Sequence, residues 1–138
     1  FTGGSITMAP GTSTIISDEG DIAYRAGTNI KSEILATNAG DIALTANSSI
    51  LAANAITTKL GKVDLTAQTG SITTEGDAPI SAKGRVADTD AELADVDGDI
   101  TLTAKTDITI GTPESTDDGV STEVGNIKVE PFRFRKWT

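Results

Sequence analysis

The chain repeats one short pattern at nearly constant spacing, and this repeat constrains the fold more than any other feature. The pattern reads Gly-(Asp)-φ-x-φ-x-Ala, in which φ is an apolar residue. Degenerate copies begin at Gly4 and Gly125. The shorter intervals between the glycines are about twenty residues. The longer intervals indicate loops inserted between constant repeats. The clear copies are Gly20–Ala26, Gly40–Ala46, Gly61–Ala67 and Gly98–Ala104.

Apolar residues alternate with other residues inside each copy. Ile42, Leu44 and Ala46 share one face of the predicted strand, with Ala43 and Thr45 on the other. This period of two is typical of a half-buried β-strand. Two further strands are predicted in each unit, one at Ile30, Ile50, Ile72 and Ile108, the other at Ile34-Leu35, Ile56 and Ile80.

Turn residues separate the predicted strands. We expect positive φ angles at their Gly and Asn residues, because a chain that turns a corner often needs that conformation. The predicted turns are Gly27–Asn29, Asn38–Gly40, Asn47–Ser49, Gln68–Gly70 and Lys105–Asp107.

Three short strands cannot bury their apolar sides within one unit, but identical units stacked on one another can. The sequence therefore predicts an all-β protein, a right-handed parallel β-helix of about six rungs with roughly twenty residues per rung. The small inward residues Ala26, Ala46, Ala67 and Ala104 indicate a narrow corner where a larger side chain would collide. An antiparallel sandwich is the alternative fold.

The predicted β-helix spans residues 1–131, with loop insertions near 83–97 and 112–119. Residues 132–138 form an aromatic and basic tail. The tail is interpreted as a cap over the last rung, with a connector to a neighbouring subunit as the alternative. Because the first residue is Phe1, we expect a processed protein or an excised fragment.

Composition excludes several function classes. The chain has no cysteine and no histidine, so disulfides, thiol nucleophiles, histidine acid–base catalysis and the usual zinc sites are excluded. Twenty acidic and eleven basic residues give a net charge of -9. Such a chain repels nucleic acid and anionic lipid. No apolar run is long enough to insert into a membrane.

The densest charged segment is residues 88–99, which contains Asp88, Asp90, Glu92, Asp95, Asp97 and Asp99. Alternating carboxylates are typical of calcium loops. Counted from Asp95, however, Ile100 and Gly111 occupy the positions where such a loop needs glycine and glutamate. We therefore interpret the segment as a solvated acidic loop and assign no metal-binding residue. A structural calcium ion is the alternative, and no cofactor is required.

No catalytic residues are assigned. Asp64 with Glu75, or the acidic loop, would be candidate carboxylate pairs for a glycosidase. The predicted rungs offer a sugar no aromatic side chain except Tyr24, which falls in the inward register. The sequence Asn47–Ser49 matches a glycosylation motif, but so short a match is not evidence of glycosylation. Outward threonines resemble those of ice-binding solenoids, but other residues interrupt the array. These threonines are Thr45, Thr66, Thr101 and Thr103.

Residues Gly40–Ala46 and Gly98–Ala104, each followed by a second isoleucine strand, resemble the repeats of filamentous haemagglutinin-type adhesins. The resemblance covers Gly4 to Val129. It implies a shaft segment of a protein exported by two-partner secretion to the bacterial cell surface. The Asn-Pro-rich motifs of the family's secretion domain are missing from this sequence.

The predicted function is the non-catalytic structural shaft or adhesive stalk of a secreted adhesin. Its partner would be a receptor or glycan on a host or neighbouring cell, bound through the inserted loops. One alternative is a subunit that associates end to end into an extracellular filament. A second alternative is a β-helical enzyme that acts on polysaccharides.

Overall fold

A computed structural model describes residues 4–75, 79–82 and 98–110 and the strand segments 120–122, 127–130 and 133–136. All regular structure in these residues is β-strand. The strands are β1 (Ile6–Thr7), β2 (Ser13–Ile16), β3 (Ile22–Ala26), β4 (Ile30–Ser32), β5 (Ile34–Thr37), β6 (Ile42–Ala46), β7 (Ile50–Ala52), β8 (Ile56–Thr58), β9 (Val63–Ala67), β10 (Ile72–Thr74), β11 (Ile80–Ala82), β12 (Ile100–Ala104), β13 (Asp107–Ile110), β14 (Val120–Thr122), β15 (Ile127–Glu130) and β16 (Arg133–Lys136).

Every third strand along the chain belongs to the same sheet. Sheet A is β1-β4-β7-β10-β13-β16, sheet B is β2-β5-β8-β11-β14 and sheet C is β3-β6-β9-β12-β15. All the pairings are parallel. The chain is therefore a parallel β-solenoid with three sheets around one core, and the antiparallel sandwich is not its fold.

The number of turns is smaller than the sequence predicted. The structure supports a solenoid of about four turns with about 21 residues per turn, whereas six rungs were expected. One reason is that Ile6 pairs with Ile30 in sheet A, so the segment at Gly4 repeats the second strand of the unit and not the first. The isoleucines in register in sheet A are Ile6, Ile30, Ile50, Ile72 and Ile108.

The core consists of inward side chains that stack in ladders from turn to turn. Sheet A contributes isoleucines, sheet B Leu35, Ile56 and Ile80, and sheet C leucines at the middle of its strands. Burial of these aliphatic groups is the main stabilising term, at about 25 cal/mol per Å². The predicted strand positions are confirmed. The fully buried ladders of sheets A and C include Ile30, Ile50, Ile72, Ile108, Leu44, Leu65 and Leu102.

The alanine that ends each sheet C strand lies inside, as predicted. Ala26, Ala46, Ala67 and Ala104 are in register, and each is at most 5% exposed. They line the narrow corner that leads from sheet C to sheet A. A larger side chain there would overpack an interior that is already dense.

The glycines at the turns have a different purpose from the one expected. Gly11, with φ of 79°, is the described glycine that adopts a positive φ. Gly40 is needed because an added Cβ would collide with the carbonyl oxygen of Gly20 one turn earlier. Gly61 makes the same close approach to the carbonyl oxygen of Gly40. Close stacking of backbone, and not left-handed geometry, therefore requires glycine at these two positions.

The predicted insertions at 83–97 and 112–119 lie outside the described residues. The strands that flank them, β11 with β12 and β13 with β14, pair with their neighbours in register. In the tail of residues 132–138, β16 extends sheet A by pairing with β13, which places Phe134 level with Ile108.

Candidate functional site

Three corners join the sheets, and each carries polar groups in a distinct arrangement. The glycine corner leads from sheet B to sheet C, the polar corner from sheet C to sheet A, and the variable corner from sheet A to sheet B. In the first three turns the glycine corner comprises residues 17–21, 38–41 and 59–62, the polar corner residues 27–29, 47–49 and 68–71, and the variable corner residues 8–12, 33 and 53–55.

Aspartates connect successive turns at the glycine corner. Asp21 Oδ1 accepts the backbone N–H of Asp41 at 2.8 Å, and Asp41 Oδ1 accepts the N–H of Lys62 at 2.8 Å. Lys62 Nζ then lies 3.6 Å from Asp99 Oδ2. Carboxylates that accept backbone N–H groups form charge-assisted hydrogen bonds. The aspartate of the repeated motif therefore has a structural role.

Two buried threonines support the same corner from inside. Thr37 Oγ1 and Thr58 Oγ1 both donate to the carbonyl oxygen of Gly40, at 2.7 and 2.8 Å. The two hydroxyl oxygens lie 2.9 Å apart. The carbonyl that Gly61 approaches so closely is thus satisfied by side chains in the interior, where an unpaired acceptor would be costly.

The polar corner has its own ladder of side chains. Asn29 Oδ1 accepts the N–H of Ser49 at 3.0 Å, and Ser49 Oγ accepts the N–H of Ser71 at 3.1 Å. Ser71 Oγ lies 2.7 Å from Thr106 Oγ1. Asn47, the first residue of the glycosylation motif, is exposed at this corner.

The variable corner contains a buried acid that the sequence analysis did not single out. Glu33 is 4% exposed, and its Oε2 accepts Asn54 Nδ2 at 3.0 Å. Its backbone N–H points at Met8 Sδ, 3.3 Å away. Because these contacts come from the turns before and after, no local signal near Glu33 would have revealed its burial.

The predicted acidic loop at 88–99 lies mostly outside the described residues, and of its carboxylates the structure describes Asp99 alone. Asp99 is half-buried and has Lys62 as a partner. Within the described part of the chain, no group of three or more acidic residues is arranged to hold a metal ion. The interpretation of residues 88–99 as a solvated acidic loop stays a prediction, with a structural calcium ion as its alternative.

The candidate carboxylate pair is separated by the fold. Asp64 is on the outer face of sheet C, where Thr66 Oγ1 donates to its Oδ1 at 3.1 Å. Glu75 follows the last strand residue of β10 in sheet A. The structure therefore does not bring these two acids onto one face.

Tyr24 occupies the inward position that the sequence predicted. It is in register with Leu44, is partly buried against the core, and its hydroxyl lies 3.1 Å from Thr14 Oγ1. The ring is thus part of the core edge and of a hydrogen bond between sheets C and B.

The outward threonines of sheet C form an interrupted array, as predicted. Thr45, Thr66 and Thr103 are in one row, which Arg25 continues in the first turn. In the neighbouring row Thr101 follows Asp64. Each row therefore contains a charged side chain, Arg25 at the end of one and Asp64 within the other.

Among the described residues, the exposed large apolar side chain lies on the outer face of sheet B. Ile15 is 66% exposed, and it lies beside a depression of about 280 Å³. Ala36, Thr57 and Lys59 are among the residues that line the depression. A neighbouring depression is lined by acidic residues at the glycine corner, and it shares Asn38 with the first.

Comparisons with known proteins identify no relative. No family model matches the chain, and neither a curated protein nor a solved structure matches it. In the described residues, no helix is long and apolar enough to cross a membrane.

Proposed function

We propose that this chain is a right-handed parallel β-helix that serves as the structural shaft or adhesive stalk of a secreted bacterial surface adhesin, without catalytic activity. Right-handed winding is the expected hand, because crossover connections between parallel strands are almost always right-handed. The resemblance of Gly40–Ala46 and Gly98–Ala104 to haemagglutinin-type repeats supports the family and the location.

The observation that carries the proposal is the continuity of the core. Inward ladders run through all three sheets, and each corner adds hydrogen bonds from one turn to the next. Each turn contacts its neighbours in a solenoid, so stiffness accumulates along the axis. A stiff rod of this kind suits a spacer that holds binding elements away from a cell.

The binding elements in this proposal are the inserted loops at 83–97 and 112–119. In the chain the first insertion lies between β11 of sheet B and β12 of sheet C, and the second lies between β13 of sheet A and β14 of sheet B. Recognition residues are concentrated on loops that a rigid scaffold positions. The partner would be a receptor or glycan on a host or neighbouring cell.

Adhesion of coated beads tests the function. Beads carrying the full chain should bind to cells or to a glycan array, and replacement of residues 83–97 by a short Gly-Ser linker should reduce binding. The matched control replaces the polar-corner residues Gln68 and Thr69 with serine, which leaves the loops unchanged. Binding that is equal for all three proteins would contradict a role of the loop.

The alternatives give different results in two further measurements. If the particles formed by the chain grow without limit as its concentration rises, the filament-subunit hypothesis is favoured, because open sheet edges can pair with strands of further copies. Release of reducing ends from a polysaccharide would favour the enzyme. Either result would overturn the passive shaft.

A further inference from the structure

The outer face of sheet B places a projection directly beside a depression. Ile15 of β2, Ala36 of β5 and Thr57 of β8 are in one row across the face. Ile15 is 66% exposed, whereas the small side chain of Ala36 leaves the depression next to it. A face that carries both a knob and a hole is able to pack against a copy of itself.

Charges of opposite sign lie at one end of this face. Lys59 follows the third-turn strand β8 and lines the depression, and it is exposed. Asp18 and Glu19 follow the first-turn strand β2, are exposed, and line the neighbouring depression that shares Asn38. The first turn is therefore acidic and the third turn basic at the same end of the strands.

A two-fold axis parallel to the strands and passing over β5 brings these features into contact. It places the first turn of one copy opposite the third turn of the other. Ile15 of one copy then faces Thr57 of the second copy, beside the second copy's Ala36. Lys59 of the first copy faces the segment of the second copy that carries Asp18 and Glu19. The contact repeats symmetrically, as an isologous interface requires.

We propose that this face of sheet B is a self-association surface, on which a second copy of the chain packs side by side. The occupant is another copy because both the apolar shape and the charges complement themselves under a single symmetry operation. The inference concerns lateral contact between shafts, and it does not depend on which receptor the loops bind.

The contact area between the two copies is small, so their association is expected to be weak. Three strands about 4.8 Å apart and four residues long, at about 3.3 Å each, present roughly 200 Å². A standard interface buries about 800 Å² per partner. We therefore expect a dissociation constant between about 100 µM and about 1 mM for free chains, and cooperative pairing where many copies are held close together on a surface.

Sedimentation velocity of the full chain from about 10 µM to about 1 mM tests the proposal across the expected dissociation constant. Ile15→Ser should weaken dimerisation at least about fivefold, since the projecting group is lost. The matched control is Leu51→Ser on the outer face of sheet A, which should leave dimerisation unchanged. Circular dichroism melting of each variant verifies that the solenoid is intact.

A charge-exchange experiment identifies the geometry. Lys59→Glu alone and the double variant Asp18→Lys/Glu19→Lys should each dimerise poorly, because like charges then face one another. An equimolar mixture of the two should associate at least as well as the unmodified chain. High salt should weaken the unmodified dimer.

The outcomes that overturn the proposal are equally specific. The proposal would be overturned by a chain that remains monomeric throughout the concentration range. It would also be overturned if Ile15→Ser and Lys59→Glu left the association unchanged. Failure of the two charge variants to associate when mixed would reject the two-fold arrangement. None of these results bears on adhesion by the loops, which the bead experiment measures separately.

Discussion

The glycine corner and the variable corner both stack on the same corner of the next turn, but different contacts hold them there. In the second and third turns the glycine corner has the same length, residues 38–41 and 59–62, and backbone lies directly on backbone at Gly40 and Gly61. The variable corner changes from the single residue 33 to residues 53–55 in the same two turns.

The difference shows what limits variation in a solenoid. At the variable corner a side-chain contact, Asn54 to Glu33, connects turns of unequal length. At the glycine corner the contact is between main chains, so a Cβ at Gly40 would meet the backbone of Gly20, and Asp41 must stay in position to accept the Lys62 N–H. Backbone stacking fixes the distance along the chain from the glycine to the next strand, whereas side-chain bridging tolerates changes in corner length.

The largest expected effect is that of Gly40→Ala. The new Cβ would collide with the carbonyl oxygen of Gly20, so the turns must separate, at a cost of about 3 kcal/mol or more. Gly4→Ala is the control, because a Cβ at Gly4 meets no atom within 4 Å. Thermal melting measures both. Equal melting temperatures would refute the stacking explanation.

Insertion of Gly-Ser at the two corners compares them directly. After Asn54 the insertion lengthens a corner that already varies, and we expect a loss of about 1 kcal/mol or less. Between Gly40 and Asp41 the insertion displaces Asp41, which accepts the Lys62 N–H, and it disturbs the stacked glycines. The loss in the free energy of unfolding should exceed about 2 kcal/mol. Urea unfolding gives both values. A larger loss at Asn54 would reverse the comparison.

Thr58→Val measures the interior support of the glycine corner. The change keeps the shape but removes a donor to the Gly40 carbonyl, so we expect a loss of about 1–2 kcal/mol. Thr57→Val on the outer face of the same strand is the matched control, with a change within about 0.5 kcal/mol. Urea unfolding of the two variants should differ; indistinguishable midpoints would mean that the buried hydroxyl contributes nothing.

Asp41→Ala should have the smallest effect. It removes the acceptor for the Lys62 N–H, but the carboxylate is exposed and water can replace it, so about 0.5–1 kcal/mol is expected. Asp64→Ala, which loses a contact to Thr66 inside one strand, should be nearly neutral. Hydrogen exchange at the Lys62 amide reports the effect locally. Unchanged exchange there would show that the aspartate ladder does not protect the corner.

Much of the fold was predictable because inward and outward positions alternate with a period of two. That period identified the isoleucine positions of sheet A, the corner alanines and the inward register of Tyr24. It could not assign Gly4, since a local alternation is the same in every strand, and the pairing of Ile6 with Ile30 decides to which sheet the segment belongs.

The candidate site was less predictable, because its residues are distant in sequence. Ile15 and Ile16 are adjacent, and no local feature shows which one faces out. Lys59 and Glu19 reach the same end of sheet B through the winding of the chain. The burial of Glu33 likewise depends on contacts from Met8 and Asn54 in neighbouring turns.

The sequence by itself predicted that the chain would pack short strands around an aliphatic core, because repeated units with alternating apolar residues can bury their apolar sides by stacking on one another. The tertiary structure decided why Gly40 and Gly61 must be glycine, since a Cβ there is excluded by the turn below and not by its own backbone angles. It also decided which charged residues lie at the same end of sheet B. Contacts between turns depend on register and distance, and neither is written in any single repeat.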